Sequence, residues 1–406
     1  MPDISDHDLP APVLDRDGTK HKRDLAGACA AHAVHDGFTD LLYALLPVWQ
    51  AEFGLSYAGL ALIRVLYYGT MGALQVPGGR LVERISARAA LALATLIAAG
   101  GYAVTLAPGG LPVLGLGLAI AGIGSSIQHP RASLLVTQAF GDRARGPLGV
   151  YNFAGDLGKA VLPALVALLL PLLSWRPVVG LVAALGVIAA GCLFVLIPGG
   201  NAAVPASAAS ARSGSRTDPD AGRGFALLLA IGALDTAPRM GFLLFLPFMI
   251  RDAGGGGGAV GTGLALLFVG GALGKGCCGW LGQRIGVIAG VAATETATAL
   301  LMLASLLLPL PAMLVLLPLL GIVLNGTSSM LYGTVPELAP RGDTGRAFAL
   351  FYTGVIVTGG AAPVAYGAIA DAAGRLAGVG ASALTAASIV PLVLALRPAL
   401  ARPRRP

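Results

Sequence analysis

Long apolar runs alternate with short turns rich in charged residues, Gly and Pro along nearly the whole chain. The runs are about 20 residues long, the length at which a helix crosses the hydrocarbon core of a bilayer. Twelve spans are predicted: 26–50, 57–79, 89–107, 112–137, 147–170, 175–197, 224–250, 258–281, 286–307, 312–336, 346–370 and 376–396. A membrane β-barrel would show segments of roughly 10 residues with strict alternation, and none is present. Backbone polar groups must be satisfied internally in lipid, so the chain is expected to be an all-α integral membrane bundle. Asp15, Arg16, Asp17, Lys20, Lys22, Arg23 and Asp24 precede the first span. No removable apolar region comes before it, so it is expected to stay as an uncleaved anchor.

Composition supports this reading. Of the 406 residues 56% are apolar and 12% charged, with a mean hydropathy of +0.79; soluble domains carry about 25% charged residues. The net charge of +7 would suit a nucleic-acid partner, but its placement excludes one. Of the 27 Lys and Arg, 20 fall on one side of the spans: Arg16, Lys20, Lys22, Arg23, Arg80, Arg84, Arg88, Arg131, Arg143, Arg145, Arg212, Arg216, Arg223, Arg284, Arg341, Arg346, Arg397, Arg402, Arg404 and Arg405. Only Arg176, Arg251 and Arg375 fall on the other side, and Arg64, Lys159, Arg239 and Lys275 lie inside spans. By the positive-inside rule both termini are expected in the cytoplasm, with the chain in a bacterial inner membrane. Cys29, Cys192, Cys277 and Cys278 all fall within spans and form no disulfide framework. Adjacent Cys277 and Cys278 suit either small-residue packing or capture of a soft metalloid.

Residues 198–222 read PGGNAAVPASAASARSGSRTDPDAG, a composition that buries nothing and predicts a flexible linker. The expected organisation is a cytoplasmic tail over 1–25, a six-helix bundle over 26–197, a cytoplasmic linker over 198–223, a second six-helix bundle over 224–397 and a basic tail over 398–406. The halves align at an offset of 200: Pro47 with Pro247, Gly79-Arg-Leu-Val-Glu-Arg-Ile-Ser86 with Gly279-Trp-Leu-Gly-Gln-Arg-Ile-Gly286, and Pro163 with Pro363. Internal repeats of this kind mark transporters, whose binding site lies near mid-membrane between the repeats.

These residues resemble the major facilitator superfamily, whose signature between the second and third spans is Gly-x-Leu-x-Asp-Arg-x-Gly-Arg-Lys/Arg. Gly79, Leu81, Arg84 and Arg88 match it, with Glu83 in place of Asp; Gly279, Leu281, Arg284 and Gly286 keep it in the second copy. The resemblance implies two pseudo-symmetric six-helix halves and a conformational latch at Gly79, Glu83, Arg84, Arg88, Gly279 and Arg284. A tight turn with positive-inside arginines accounts for the same residues. A closer likeness is to the fosmidomycin-resistance branch. It rests on His35-Asp36 running on to Pro47 and Glu52-Phe-Gly-Leu-Ser56, on Gly122-Ile-Gly-Ser-Ser-Ile-Gln-His-Pro130, and on Tyr151-Asn-Phe-Ala-Gly-Asp-Leu-Gly158. Asp156, Lys159 and Leu162-Pro163 depart from the branch's usual fifth span. The likeness implies proton-driven efflux.

Ionisable side chains inside a membrane cost about 2.5–3.5 kcal/mol each on insertion scales and mark function by default. His32, Asp36 and Asp40 repeat at four-residue intervals on one face of span 1, and Tyr43 and Pro47 continue it. Asn152, Asp156 and Lys159 share a face of span 5. Internal pairing is the alternative: Asp235 with Arg239 one turn on, and Asp40 with Arg64 across the first hairpin. Glu295 is expected to be peripheral, near the cytoplasmic end of span 9. The candidate proton-coupling residues are Asp36, His35, His129 and Asp156. The candidate solute-binding residues are His32, Asp40, Tyr43, Arg64, Asn152, Lys159, Asp235, Arg239, Lys275 and Asn325. Asp36 is the first choice for the proton, and Lys159 is its counter-charge, which a solute would displace or engage. Two of the four lysines, Lys159 and Lys275, lie inside spans in a chain with 23 arginines. A Lys there offers a compact charge or a movable pKa, and the four intramembrane cations Arg64, Lys159, Arg239 and Lys275 favour an anionic or zwitterionic solute.

The leading expectation is a secondary transporter exporting such a solute by proton antiport, acting as a monomer with protons, solute and lipid as partners and no cofactor, metal or nucleic acid. Uptake by proton symport and a non-transporting sensor or scaffold on the same fold are the alternatives. No P-loop, zinc motif or nucleophile elbow supports an enzyme.

Overall fold

The computed structural model describes residues 16–82, 85–199, 219–340 and 344–400. Every regular element among them is helical. In chain order these are α1 (Arg16–Asp40), α2 (Leu42–Phe53), α3 (Tyr57–Leu81), α4 (Ala87–Val104), α5 (Gly110–Phe140), α6 (Arg145–Leu169), α7 (Trp175–Leu196), α8 (Pro219–Asp252), α9 (Gly257–Ile285), α10 (Val287–Ser305), α11 (Leu310–Leu338), α12 (Thr344–Ala373) and α13 (Arg375–Leu400). The helices α4 to α13 are each long and apolar enough to cross a membrane. α3 and the α1–α2 path complete twelve positions. α1 and α2 are nearly continuous, since Leu41 keeps helical angles (φ −59°, ψ −22°). Tyr102 donates its hydroxyl to the carbonyl of Phe38 at this join, and Pro47 withholds an N–H within α2. An outside donor and a missing N–H are both identifiable causes of a helix irregularity.

The repeat predicted by the offset of 200 appears in the packing. α1 packs on α6 as α8 packs on α12, α3 on α5 as α9 on α11, and α4 on α7 as α10 on α13. The halves meet through α6 with α9, α3 with α12, and α2 with α8. The tightest seams use glycines. A Cβ at Gly158 would collide with the Ala33 carbonyl, and Cβ atoms at Gly270 and Gly274 with the carbonyls of Pro318 and Ile322. Small residues let membrane helices approach this closely.

Helices extend into the stretches expected as tail and linker. α1 already begins at Arg16, and Arg23 donates to the carbonyls of Leu196 and Val195 at 3.0 and 2.9 Å, tying it to the end of α7. The linker's last residues join α8, which starts at Pro219, and α13 runs to Leu400. The stretch around Ser213 lies outside the described residues.

Candidate functional site

The first-half charges predicted to share helix faces come together where α1, α5 and α6 meet, and α9 of the second half closes the group. Asp36 Oδ2 lies 3.1 Å from Lys159 Nζ and 3.3 Å from His32 Nε2, and its Oδ1 lies 3.6 Å from His129 Nε2. The His32 ring is stacked on Tyr151 at 4.0 Å, and its Nδ1 is 2.9 Å from the Tyr151 carbonyl. A carbonyl only accepts, so Nδ1 carries a hydrogen and Nε2 is turned toward Asp36. Asp156 takes Lys275 Nζ on both carboxylate oxygens at 2.7 Å and lies 3.9 Å from Lys159. Lys275 sits on α9 and Asp156 on α6, so this pair joins the two halves. The side chains of Lys159 and Lys275 are 30% and 38% accessible against 9% for both aspartates, so the network opens on its lysine side. The ligand atoms of His32, Asp36 and His129 lie within 4.8 Å of one another, close enough to hold a metal ion. Lys159, 3.1 Å from Asp36 Oδ2, opposes a further cation there.

A second group lies next to this network. Arg64 of α3 is buried under the rings of Tyr43 and Tyr68, 4.5 and 5.1 Å from their centroids. Its Nη2 is 3.4 Å from Met240 Sδ on α8. Arg239, beside Met240, reaches Thr236 at 3.3 Å. The expected pairs Asp40–Arg64 and Asp235–Arg239 do not form among the described residues, and the Nε atoms of both arginines have no partner. The aromatic rings hold Arg64 by cation–π attraction, which leaves its Nε–H unspent. Asp40 itself is 6% exposed, between the two groups.

Four candidate residues stand apart from the network. His35 is fully buried, and both ring nitrogens are engaged, Nδ1 at 2.8 Å from Ser125 and Nε2 at 3.1 Å from Thr95. Thr95 donates its own hydrogen to the Leu91 carbonyl, so it accepts from Nε2, and Ser125 meets both Nδ1 and the Tyr67 hydroxyl, at 2.8 and 2.7 Å. That arrangement makes His35 a buried tie between α1, α4 and α5. Asn325 donates to the Gly321 carbonyl at 3.2 Å and lies against Gly271, which keeps it in the α9–α11 seam and out of the charge network. Asn152 is exposed on α6, and among the described residues it makes no hydrogen bond to the network. Glu295 is 2% exposed at mid-helix, not at a peripheral end, and its carboxyl meets that of Asp235. Of the latch residues, Glu83 and Arg84 lie outside the described residues, and Gly79 and Gly279 fall within α3 and α9. Arg88 lies 4.7 Å over the Phe194 ring and Arg284 5.1 Å over Trp280; both contacts stay inside one half.

One contact between the halves was not foreseen. Asp371, near the end of α12, accepts from the Tyr57 and Ala58 N–H groups at 2.7 and 3.0 Å. These are the first amides of α3, where the helix dipole favours an anion. Tyr57 also packs on Phe245 and Phe248 of α8, Arg375 meets Asp252, and Gly257 lies against Ala167 and Pro171. These contacts seal one end of the bundle.

The Major Facilitator Superfamily model matches residues 28–234, slightly more than half of the chain. The chain belongs to the Major Facilitator Superfamily. This facilitator is also similar to the fosmidomycin resistance protein of Escherichia coli (strain K12), with 23% identity over 146 residues. That similarity spans 36% of the length of the curated relative and 36% of this chain. Among solved structures it resembles a POT family transporter in complex with 5-aminolevulinic acid (TM-score 0.77, 14% identity) and one in complex with a thioalcohol conjugated peptide (0.78, 14%), each covering 94% of this chain and 97% of the other. It also resembles a bacterial homologue of the human lysosomal transporter Spinster, inward-facing and unoccupied (0.68, 16%), over 94% and 95% of the two chains. At these identities the likeness shows the fold alone.

Proposed function

We propose that this facilitator exports a small anionic or zwitterionic compound across a bacterial inner membrane in exchange for protons, with both termini in the cytoplasm and the sealed end outward. The carrying observation is the ion network shared between the halves, with Asp36–Lys159 at 3.1 Å and Asp156–Lys275 at 2.7 Å. Buried charges left without partners are costly, so the halves can rock apart only as solute or protons take the places these groups vacate. Arg64 and Arg239, held without carboxylate partners on opposite halves, suit an anionic group. Asp36 supplies competition: a donor on the solute that takes its carboxylate oxygen excludes a proton from the same oxygen. Mutual exclusion at one site is what gives antiport its sign, since solute binding then releases a proton. The resistance phenotype named for the Escherichia coli relative favours export over uptake.

The test uses proteoliposomes with an imposed pH gradient and a panel of phosphonates, organic acids and arsenicals. Asp36→Asn should abolish gradient-driven transport while gradient-independent exchange stays measurable, and Lys159→Ala should lose binding. If the Asp36→Asn, Lys159→Gln double variant transports nearly as well as wild type, the two residues are a structural pair and the proposal fails.

A further inference from the structure

Asp235 on α8 and Glu295 on α10 lie in the second half, 3% and 2% exposed. Their carboxyl groups lie against each other, and the Thr327 hydroxyl of α11 donates to Thr294 at 2.8 Å. Asp235 Oδ1 and Glu295 Oε2 are buried with no donor from any other group. An ionised carboxylate only accepts, so two carboxyl groups bond to one another only when one of them keeps its proton. Arg239, one turn from Asp235, does not neutralise the pair; it donates to Thr236 instead.

The repeat supplies an independent argument. Subtracting the offset of 200 from Asp235 and Glu295 gives His35 and Thr95. Those two residues form a hydrogen bond between the first and third transmembrane positions of the first half, 3.1 Å long and fully buried. The fold therefore ties the same two helix positions together in both halves. In the first half the tie needs no ion. In the second half it is made from two acids, and it matches its counterpart in hydrogen bonding only if a proton is bound between them.

We propose that Asp235 and Glu295 form a proton-binding site in the second half, holding one shared proton in place of an Asp235–Arg239 ion pair. The titratable groups facing it are Arg239 on α8 itself, Cys278 on α9 and Tyr332 on α11. α12 and α13, which also pack on α8, carry their charged residues at their ends, Arg346 and Asp371, Arg375 and Arg397. Among the described residues Arg239 is thus the cation poised to replace the proton. Proton binding leaves its guanidinium free for the space between the halves, and proton loss draws it back to Asp235.

The site is separate from Asp36 and stands or falls apart from it. Infrared difference spectroscopy on the purified full-length protein during a pH titration reads the C=O stretch of a protonated carboxyl group directly. Wild type should show such a band near neutral pH. Asp235→Asn and Glu295→Gln should each remove it, while Asp36→Asn leaves it in place. Glu295→Gln keeps a donor to Asp235, so the tie between the helices survives and the variant should fold. Arg239→Gln should carry the band to higher pH by removing the competing cation. A wild type without the band, or a band untouched by both substitutions in the pair, overturns the proposal.

Discussion

His35 and Asp36 are neighbours in the chain and differ entirely in what they can do. One turns into the helix interface, where two hydroxyls engage it; the other turns toward His32, His129 and Lys159. With both nitrogens engaged and no exposure, His35 is expected to act through packing. His35→Ala leaves the Ser125 and Thr95 hydroxyls without this partner and opens a gap. A buried polar group left unsatisfied costs about 1–3 kcal/mol. The variant should therefore denature at lower temperature in detergent, with solute affinity of the folded fraction close to wild type. An affinity loss larger than the stability loss would return His35 to the binding site.

At the scale of elements, the distance between Asp36 and Lys159 is set by backbone approach. α1 and α6 touch at Ala33 and Gly158, where no side chain beyond hydrogen fits. Gly158 is next to Lys159 in the chain, so the close approach and the ion pair are one feature. Adding a methyl group at Gly158 forces the helices apart, and overpacking of this kind costs about 1–3 kcal/mol. Gly158→Ala should lower thermal stability and reduce transport more than Gly276→Ala, a site on α9 where a Cβ meets nothing. Thermal shift and flux measured on both variants check this; equal effects at the two glycines would remove the close approach as the cause.

For the whole molecule, the sealed end decides which conformation is seen. Asp371 of the second half caps α3 of the first, an exposed charge-assisted contact worth about 0.3–1 kcal/mol. Losing about 1 kcal/mol changes a two-state ratio by roughly 5-fold. Asp371→Asn should move the population toward the state open at this end, raising the rate at which a cysteine at Ala58 is labelled from the outside. Unchanged labelling would show that the aromatic contacts of Tyr57 hold the seal alone. Orientation is tested in the same cells: a cysteine at Ser213 should resist an impermeant thiol reagent, and its labelling from outside would reverse the proposed topology.

The sequence by itself determined the class of fold. Span lengths, the charge deficit and the offset of 200 are properties of local composition and repetition, and they needed no contacts to be legible. It also marked most of the first-half cluster, because residues four apart on one helix share a face whatever that helix packs against. Only the tertiary structure decided the partners. Lys275 meets Asp156 from the other half, Arg64 lies under tyrosines and not beside Asp40, and Glu295 turns inward to Asp235. Each of these depends on how one helix is rotated against another. Hydrophobicity leaves that rotation open in a chain apolar on most faces, and close packing at glycines and buried hydrogen bonds settles it.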